Sequence, residues 1–221
     1  MPLNIEIYSN SKLWHLAVAV YEQDTLQIQQ IGEKEKSIID DTTNKFALTL
    51  LNWAVLNIRY LSAEQLLKLG ADPNHTSSFG SPFITACSLR GGAKFINLLL
   101  KYGANVNPIN TGGDHSPLVA ACDVDIENVK ILINAGAHIN DTDNSGAFPL
   151  YESIAIGKMD IADYLIFECG ADYKKPFYPV DEGTDSVRFI YPINYLRRQK
   201  YMTFTQNYRL KEKIIKFIES H

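Results

Sequence analysis

Apolar and polar positions recur in a fixed order along this chain. A short apolar helix start is followed by a turn, a longer apolar stripe at helical spacing, a Gly-Ala pair and a polar loop. The stretch "LLKYGANVNPINTGGDHSPLVAAC", Leu99 to Cys122, holds one such passage from helix end to next helix start. The Gly-Ala pairs stand in "LLKLGADPN" at Gly70, "LLKYGANVN" at Gly103, "LINAGAHIN" at Gly136 and "IFECGADYK" at Gly170, spaced by 33, 33 and 34 residues. A fixed period of this size marks an array of small structural units, each needing a neighbour to bury its apolar face.

The helix starts keep the same phase. They read "SPFITAC" from Ser81, "SPLVAAC" from Ser116 and "FPLYESI" from Phe148, with looser copies "TLLNWAV" from Thr49 and "YPINYLR" from Tyr191. Proline suits a first helical turn, where its missing N–H has no intrahelical partner to lose. Glycine closes the second helix, where the chain must turn left-handed. Ala54, Ala86 and Ala121 let paired helices approach closely. "KLWHLAV", Lys12 to Val18, fits an N-terminal copy, and "NYRLKEKIIKFIES" forms a closing amphipathic helix. In that helix Leu210, Ile214, Ile215, Phe217 and Ile218 make the inner stripe, with Lys211, Glu212, Lys213, Lys216 and Glu219 expected in water.

These words and their period resemble the ankyrin-repeat family over nearly the whole chain. The resemblance implies an all-α fold: an ankyrin-repeat solenoid of about six helix pairs with β-hairpin-like loops and terminal caps. One domain is expected over residues 1–221, with an N-terminal cap at 1–45, central repeats at 46–172, and an enlarged loop with C-terminal cap at 173–221. The family places a histidine inside its first helix. Here His15 stands there once, and Asn52, Ile84, Val119, Tyr151 and Asn194 replace it elsewhere. The hydrogen-bond network of that histidine is therefore expected to be mostly missing.

Composition narrows the function. With 221 residues and 46% hydrophobic content, the chain can bury a sizeable core. A net charge of -4 argues against nucleic acid, which rewards clustered Lys and Arg. No apolar run reaches the length of a membrane span. "MPLNIEIYSN" lacks the basic and apolar regions of a signal peptide, which leaves the compartment open: cytoplasmic from the sequence given, periplasmic if an export signal was removed. Three scattered cysteines make no disulfide framework; Cys87 and Cys122 are expected as packed thiols and Cys169 as unpaired near a helix end.

One stretch imitates a metal site. "DTDNSGAFPLYE" carries Asp141, Asp143, Ser145, Gly146 and Glu152 at calcium-loop spacing. The repeat reads it differently: Pro149 opens a helix that carries Glu152 away from the aspartates. No metal and no other cofactor is therefore expected. No two histidines show the i, i+4 spacing of a helical zinc site, and no nucleophile elbow or phosphate-binding loop is present. "DVDIE", Asp123 to Glu127, reads as a tightened turn that caps the following helix. The chain is not expected to be an enzyme.

In the ankyrin family the concave face, built of loop tips and first helices, binds proteins. The register assigns His75, Phe79, Asn110, Asp114, His115, Asp141, Asp143 and Asn144 to loops on that face. Trp53, Asn57, Ser88, Leu89, Asp123, Glu152, Ile156, Tyr195 and Arg198 come from first helices, and Tyr178, Asp181, Glu182 and Asp185 from the enlarged loop. Trp53 has two readings, an exposed anchor or plain core. The carboxylates are either a solvated surface or a field that steers a basic partner. The short array and its "YPINYLR" closing unit resemble small bacterial ankyrin proteins, some of which are immunity partners of secreted antibacterial toxins of type VI secretion. The resemblance implies a protein partner such as a phospholipase effector, neutralised by steric occlusion, and a monomer when free. A host-directed effector or regulatory adaptor is the alternative.

Overall fold

The computed structural model describes residues 4–42, 44, 46–108, 115–143, 146–181 and 187–221. Among them twelve α-helices follow one another in pairs. They are α1 (Trp14–Glu22) and α2 (Thr25–Lys34), α3 (Leu50–Leu56) and α4 (Tyr60–Lys68), and α5 (Pro82–Cys87) and α6 (Ala93–Lys101). Then come α7 (Pro117–Cys122) and α8 (Ile126–Asn134), α9 (Pro149–Ala155) and α10 (Met159–Phe167), and α11 (Pro192–Arg198) and α12 (Gln206–Ser220). The enlarged loop before α11 contains an antiparallel hairpin, β1 (Phe177–Asp181) and β2 (Val187–Ile190), with Asp181 opposite Val187.

Local chemistry sets the helix ends. The Thr49 hydroxyl accepts from the Asn52 N–H at 3.1 Å, and the Ser81 hydroxyl from the Ile84 N–H at 3.2 Å. Asp24, Asp125 and Thr205 cap α2, α8 and α12 in the same way. Gly70, Gly103, Gly136 and Gly170 all take positive φ, from +71° to +98°, just past the second helices. The phase read from the Gly-Ala pairs is therefore the phase of the backbone.

One expectation is corrected here. The turn before α3 keeps a complete network although histidine is absent from it. Asn52 accepts from the Thr49 hydroxyl at 2.8 Å and donates to the Gly80 carbonyl at 3.2 Å. Asn194 repeats part of this, accepting from the Tyr191 N–H at 3.3 Å. An asparagine amide offers both a donor and an acceptor, as an imidazole does.

The chain divides into two compact units, Met1–Pro117 and Leu118–His221. In the first, α1 packs on α3 and α3 on α5, while α2 packs on α4 and α4 on α6. Their shared core holds Leu16, Val20, Leu51, Ala54, Leu66, Phe83, Ala86 and Ile96, all at most 1% exposed. Each such large side chain contributes about 1.5–3 kcal/mol of burial. Tyr8 is buried beneath them; its hydroxyl donates to the Leu48 and Thr49 carbonyls, and burial pushes its pKa upward.

In the second unit α10 packs on α8, α9 and α12, and α11 on α9 and α12. Val119, Ala121, Val129, Leu132, Ile154, Ile161, Leu165, Leu196 and Ile214 are buried there. The Phe217 ring of α12 meets Phe167 at 4.9 Å and Tyr173 at 5.3 Å. Lys211 departs from the sequence expectation: it is 8% exposed, not in water. Its aliphatic stem is covered, and its ammonium donates to the Gln199 carbonyl at 2.9 Å, which fixes the end of α11 against α12.

Candidate protein-docking face

In the first unit α3, α5 and the turns that follow them carry the residues that the register assigned to a docking face, together with the loop before α5. The Phe79 ring is 46% exposed and leans on Phe46 at 5.4 Å, at a tight turn closed by Ser77 and Gly80. His75 is half-buried in the loop after α4. The neighbouring Asp40 carboxylate accepts from the Asp72 N–H at 3.1 Å; burial raises its pKa most, and that N–H and His75 lower it. Ser88 is exposed, while Leu89 and Asn57 are half-buried.

Trp53 does not stand on this face as an exposed anchor. It is 2% exposed and among the largest fully enclosed side chains. The Tyr21 ring covers it at 6.2 Å, and the Arg59 guanidinium lies over Tyr21 at 5.1 Å. Trp53 therefore belongs to the core and not to the docking residues. The stack of Arg59 on Tyr21 on Trp53 joins three elements, and no motif in the sequence announces it.

In the second unit His115, Asp123, Asp141, Ile156 and Arg198 are exposed, and Asp143, Glu152 and Tyr195 are half-buried. The ring of Tyr195 on α11 meets Tyr151 of α9 edge-on at 6.5 Å, and Ile156, at the end of α9, is 40% exposed. Asp123 and Glu152 both lie within electrostatic reach of the Cys122 thiol. Burial raises that thiol's pKa first, and these two carboxylates raise it further. Tyr178 and Asp181 lie in β1. Asp114, Glu182 and Asp185, with Asn110 and Asn144, lie outside the described residues.

The calcium-loop spacing resolves into ordinary loop chemistry. The Asp141 carboxylate pairs with His138 Nδ1 at 2.7 Å in the open. Asp143 accepts from the Ala147 N–H at 2.9 Å, closing a turn in which Gly146 takes φ +83°. Glu152 sits on α9, beyond Pro149. Among the described residues no three His, Cys, Asp or Glu side chains gather as metal ligands, and no helix is long and apolar enough to cross a membrane. Cys87 and Cys122 are buried, and Cys169 is half-buried.

Comparison with known proteins agrees with this architecture. A family model described as ankyrin repeats (3 copies) matches residues 51–143 and 83–176. Protein PhlB of Serratia liquefaciens is 34% identical over 112 residues, 50% of this chain and 49% of its own length. The chain thus spans about half of that relative. Human cyclin-dependent kinase 4 inhibitor B is 33% identical over 102 residues, 46% of this chain and 73% of its own. The crystal structure of an ankyrin repeat domain from Acinetobacter baumannii AYE superposes with a TM-score of 0.72 at 25% identity, covering 92% of this chain and 97% of that one. Ankyrin repeats serve as protein–protein interaction modules, and this chain belongs to the ankyrin-repeat family.

Proposed function

We propose that this chain binds one protein partner through its loop tips and first helices, acting as an immunity protein that neutralises a cognate secreted bacterial toxin by steric occlusion. It does this without catalysis of its own. The observation that carries a docking role is the exposure of Phe79 in the first unit and of Ile156 and Arg198 in the second, where the Tyr151 and Tyr195 rings pair. Aromatic, large apolar and Arg side chains on open faces are the usual anchors of protein interfaces. The immunity role is supported by the likeness of the helix starts and of "YPINYLR" to small bacterial ankyrin proteins. Occlusion needs an interface of at least the standard ~1,600 Å².

A second reading makes the chain an effector or adaptor that restrains a cellular protein. It is favoured by the 33% identity to cyclin-dependent kinase 4 inhibitor B, a protein named for restraining a kinase. The two separate in one experiment. Affinity capture with the tagged full chain from its native lysate, followed by mass spectrometry, should recover one stoichiometric toxin; a kinase or other regulator in its place selects the adaptor. The acidic residues are tested on the captured complex. Asp123→Lys with Asp141→Lys avoids Asp143, whose carboxylate holds its own loop. The pair should slow association and flatten its salt dependence, as steering requires. An unchanged on-rate removes the acidic steering field.

A further inference from the structure

The turns between first and second helices form the edge of each repeat, and here the repeats are not alike. The second residue of each second helix is exposed in α2, α4, α6, α8 and α10, where it is Leu26, Leu61, Lys94, Glu127 and Asp160. Charge is what a solvated edge calls for, and the last three supply it. The first two are leucines, 71% and 52% exposed. Beside them stand Ile58 at 65% and Tyr21 at 48%. The end of α1 and the start of α4 are tied together: Ser62 Oγ donates to the Val20 carbonyl at 2.7 Å, and the Leu61 N–H donates to Gln23 Oε1 at 3.3 Å.

Two further features separate this edge from plain greasy surface. Ile58 takes φ +58°, where Gly91 and Gly157 serve the turns of later repeats. A β-branched residue in that conformation is a genuine outlier, yet it is kept, with most of its surface exposed. Next to it Arg59 occupies the position before α4, where Asp24 and Asp125 cap the first turns of α2 and α8. Arg59 caps nothing. Its Nε is enclosed and without a hydrogen-bond partner, and among the described residues no carboxylate pairs with its guanidinium. Its plane is held on Tyr21, so the fork is oriented before anything binds. The first turn of α4 holds no acidic residue either.

We infer that Tyr21, Leu26, Ile58, Arg59 and Leu61 form a second docking surface, distinct from the loop-tip and first-helix face, for an acidic segment of a protein partner. The segment would place one carboxylate on the Arg59 guanidinium and lay apolar side chains on Ile58 and Leu61. The charge argument selects this occupant. A carboxylate there satisfies a cation that has no anion and sits favourably at the start of α4. A basic or purely apolar segment does neither.

The test is a phage-displayed random peptide library selected on the immobilised full chain, with enriched peptides resynthesised and their affinities measured. Enriched sequences should pair Asp or Glu with neighbouring apolar residues. Arg59→Glu, which reverses one partner of a contact charge pair, and Leu61→Asp, which sets a carboxylate against an acidic segment, should each weaken them about tenfold or more. Arg198→Glu, in the other unit, should leave them unchanged. Circular dichroism melts of each variant confirm that the fold survives. Failure to enrich, enrichment of peptides without acid groups, or indifference to Arg59→Glu overturns the inference. So does sedimentation showing a dimer of the parent chain that Leu61→Asp dissociates, because a second copy would then be the occupant. The outcome is independent of the toxin or adaptor reading, which the Arg59 variants do not address.

Discussion

The α3–α4 pair and the α9–α10 pair are the same object built twice. Their first helices have seven residues each and their second helices nine. Position for position, Asn52 answers to Tyr151, Trp53 to Glu152, Ile58 to Gly157, Arg59 to Lys158 and Leu61 to Asp160. Backbone and register are shared, and the chemistry is not. In the first pair the turn is locked by a buried amide network and the tryptophan is core. In the second the same positions carry a ring packed on its neighbour and a half-buried carboxylate. Even the cations at the helix start behave differently. Lys158 donates to the Val124 carbonyl at 3.0 Å, while Arg59 lies on a ring with its Nε unpaired. A repeat therefore constrains spacing, capping and small-residue contacts, and leaves the remaining positions to adapt.

The largest break in the comparison comes from Trp53→Ala. Removing a fully enclosed indole beneath Tyr21 should cost about 3–5 kcal/mol of stability, read from urea or thermal unfolding followed by circular dichroism. Glu152→Ala at the equivalent position should cost far less, about 1 kcal/mol or below, because it removes a half-buried carboxylate and no enclosed ring. Equal losses would mean that the two positions carry the same weight and that the contrast between the pairs fails.

Asn52→Ala comes next, at about 1–3 kcal/mol, because it leaves the buried Thr49 hydroxyl without its acceptor and removes one donor from the Gly80 carbonyl. Asn52→His should recover part of the loss, since an imidazole can also donate and accept. A histidine variant no better than alanine would show that shape and not hydrogen bonding holds this turn.

A pH titration sharpens the comparison between units, because each holds one buried thiol. Burial raises the pKa of Cys87 in the first unit and of Cys122 in the second. A thiol whose folded pKa is raised contributes stability that is complete below its unfolded pKa, 9.0 here, and is lost as pH rises above it. Each thiol should therefore steepen alkaline destabilisation by about 1.4 kcal/mol per pH unit. Cys87→Ala alone should remove one thiol's share from a molecule that melts as one. If the transition splits, the effect belongs to the first unit's melt only.

How much of this was legible depends on whether the cause was local. The Gly-Ala pairs and the Ser-Pro starts act within a few residues, so the twelve helices and their pairing followed from them. Trp53 and Lys211 were harder. Trp53 is buried because Tyr21, thirty-two positions earlier, folds over it. Lys211 is covered because the α11 end lies against α12. Neither contact leaves a periodic mark. Asn52 was misjudged for a chemical reason: the family's side chain was absent, but its hydrogen-bonding capacity was not. The edge at Leu26 and Leu61 was visible only after the helices had been aligned on their first residues.

The smallest expected effect bears most directly on that edge. Ile58 is 65% exposed, so truncating it sacrifices little burial, and its φ of +58° costs an L-residue roughly 1–2 kcal/mol relative to glycine. Ile58→Gly should therefore stabilise the chain by up to about 1 kcal/mol, after the entropy of the added glycine is subtracted. At position 157 the sign reverses. Gly157→Ala must place a Cβ 2.8 Å from the Tyr201 hydroxyl at φ +80°, and should destabilise. If Ile58→Gly stabilises the free chain while weakening peptide capture at the Arg59 edge, the strained isoleucine is there for its exposed surface and not for the fold. If it destabilises instead, Ile58 contributes packing that its exposure conceals, and the contrast between the two turns loses its meaning.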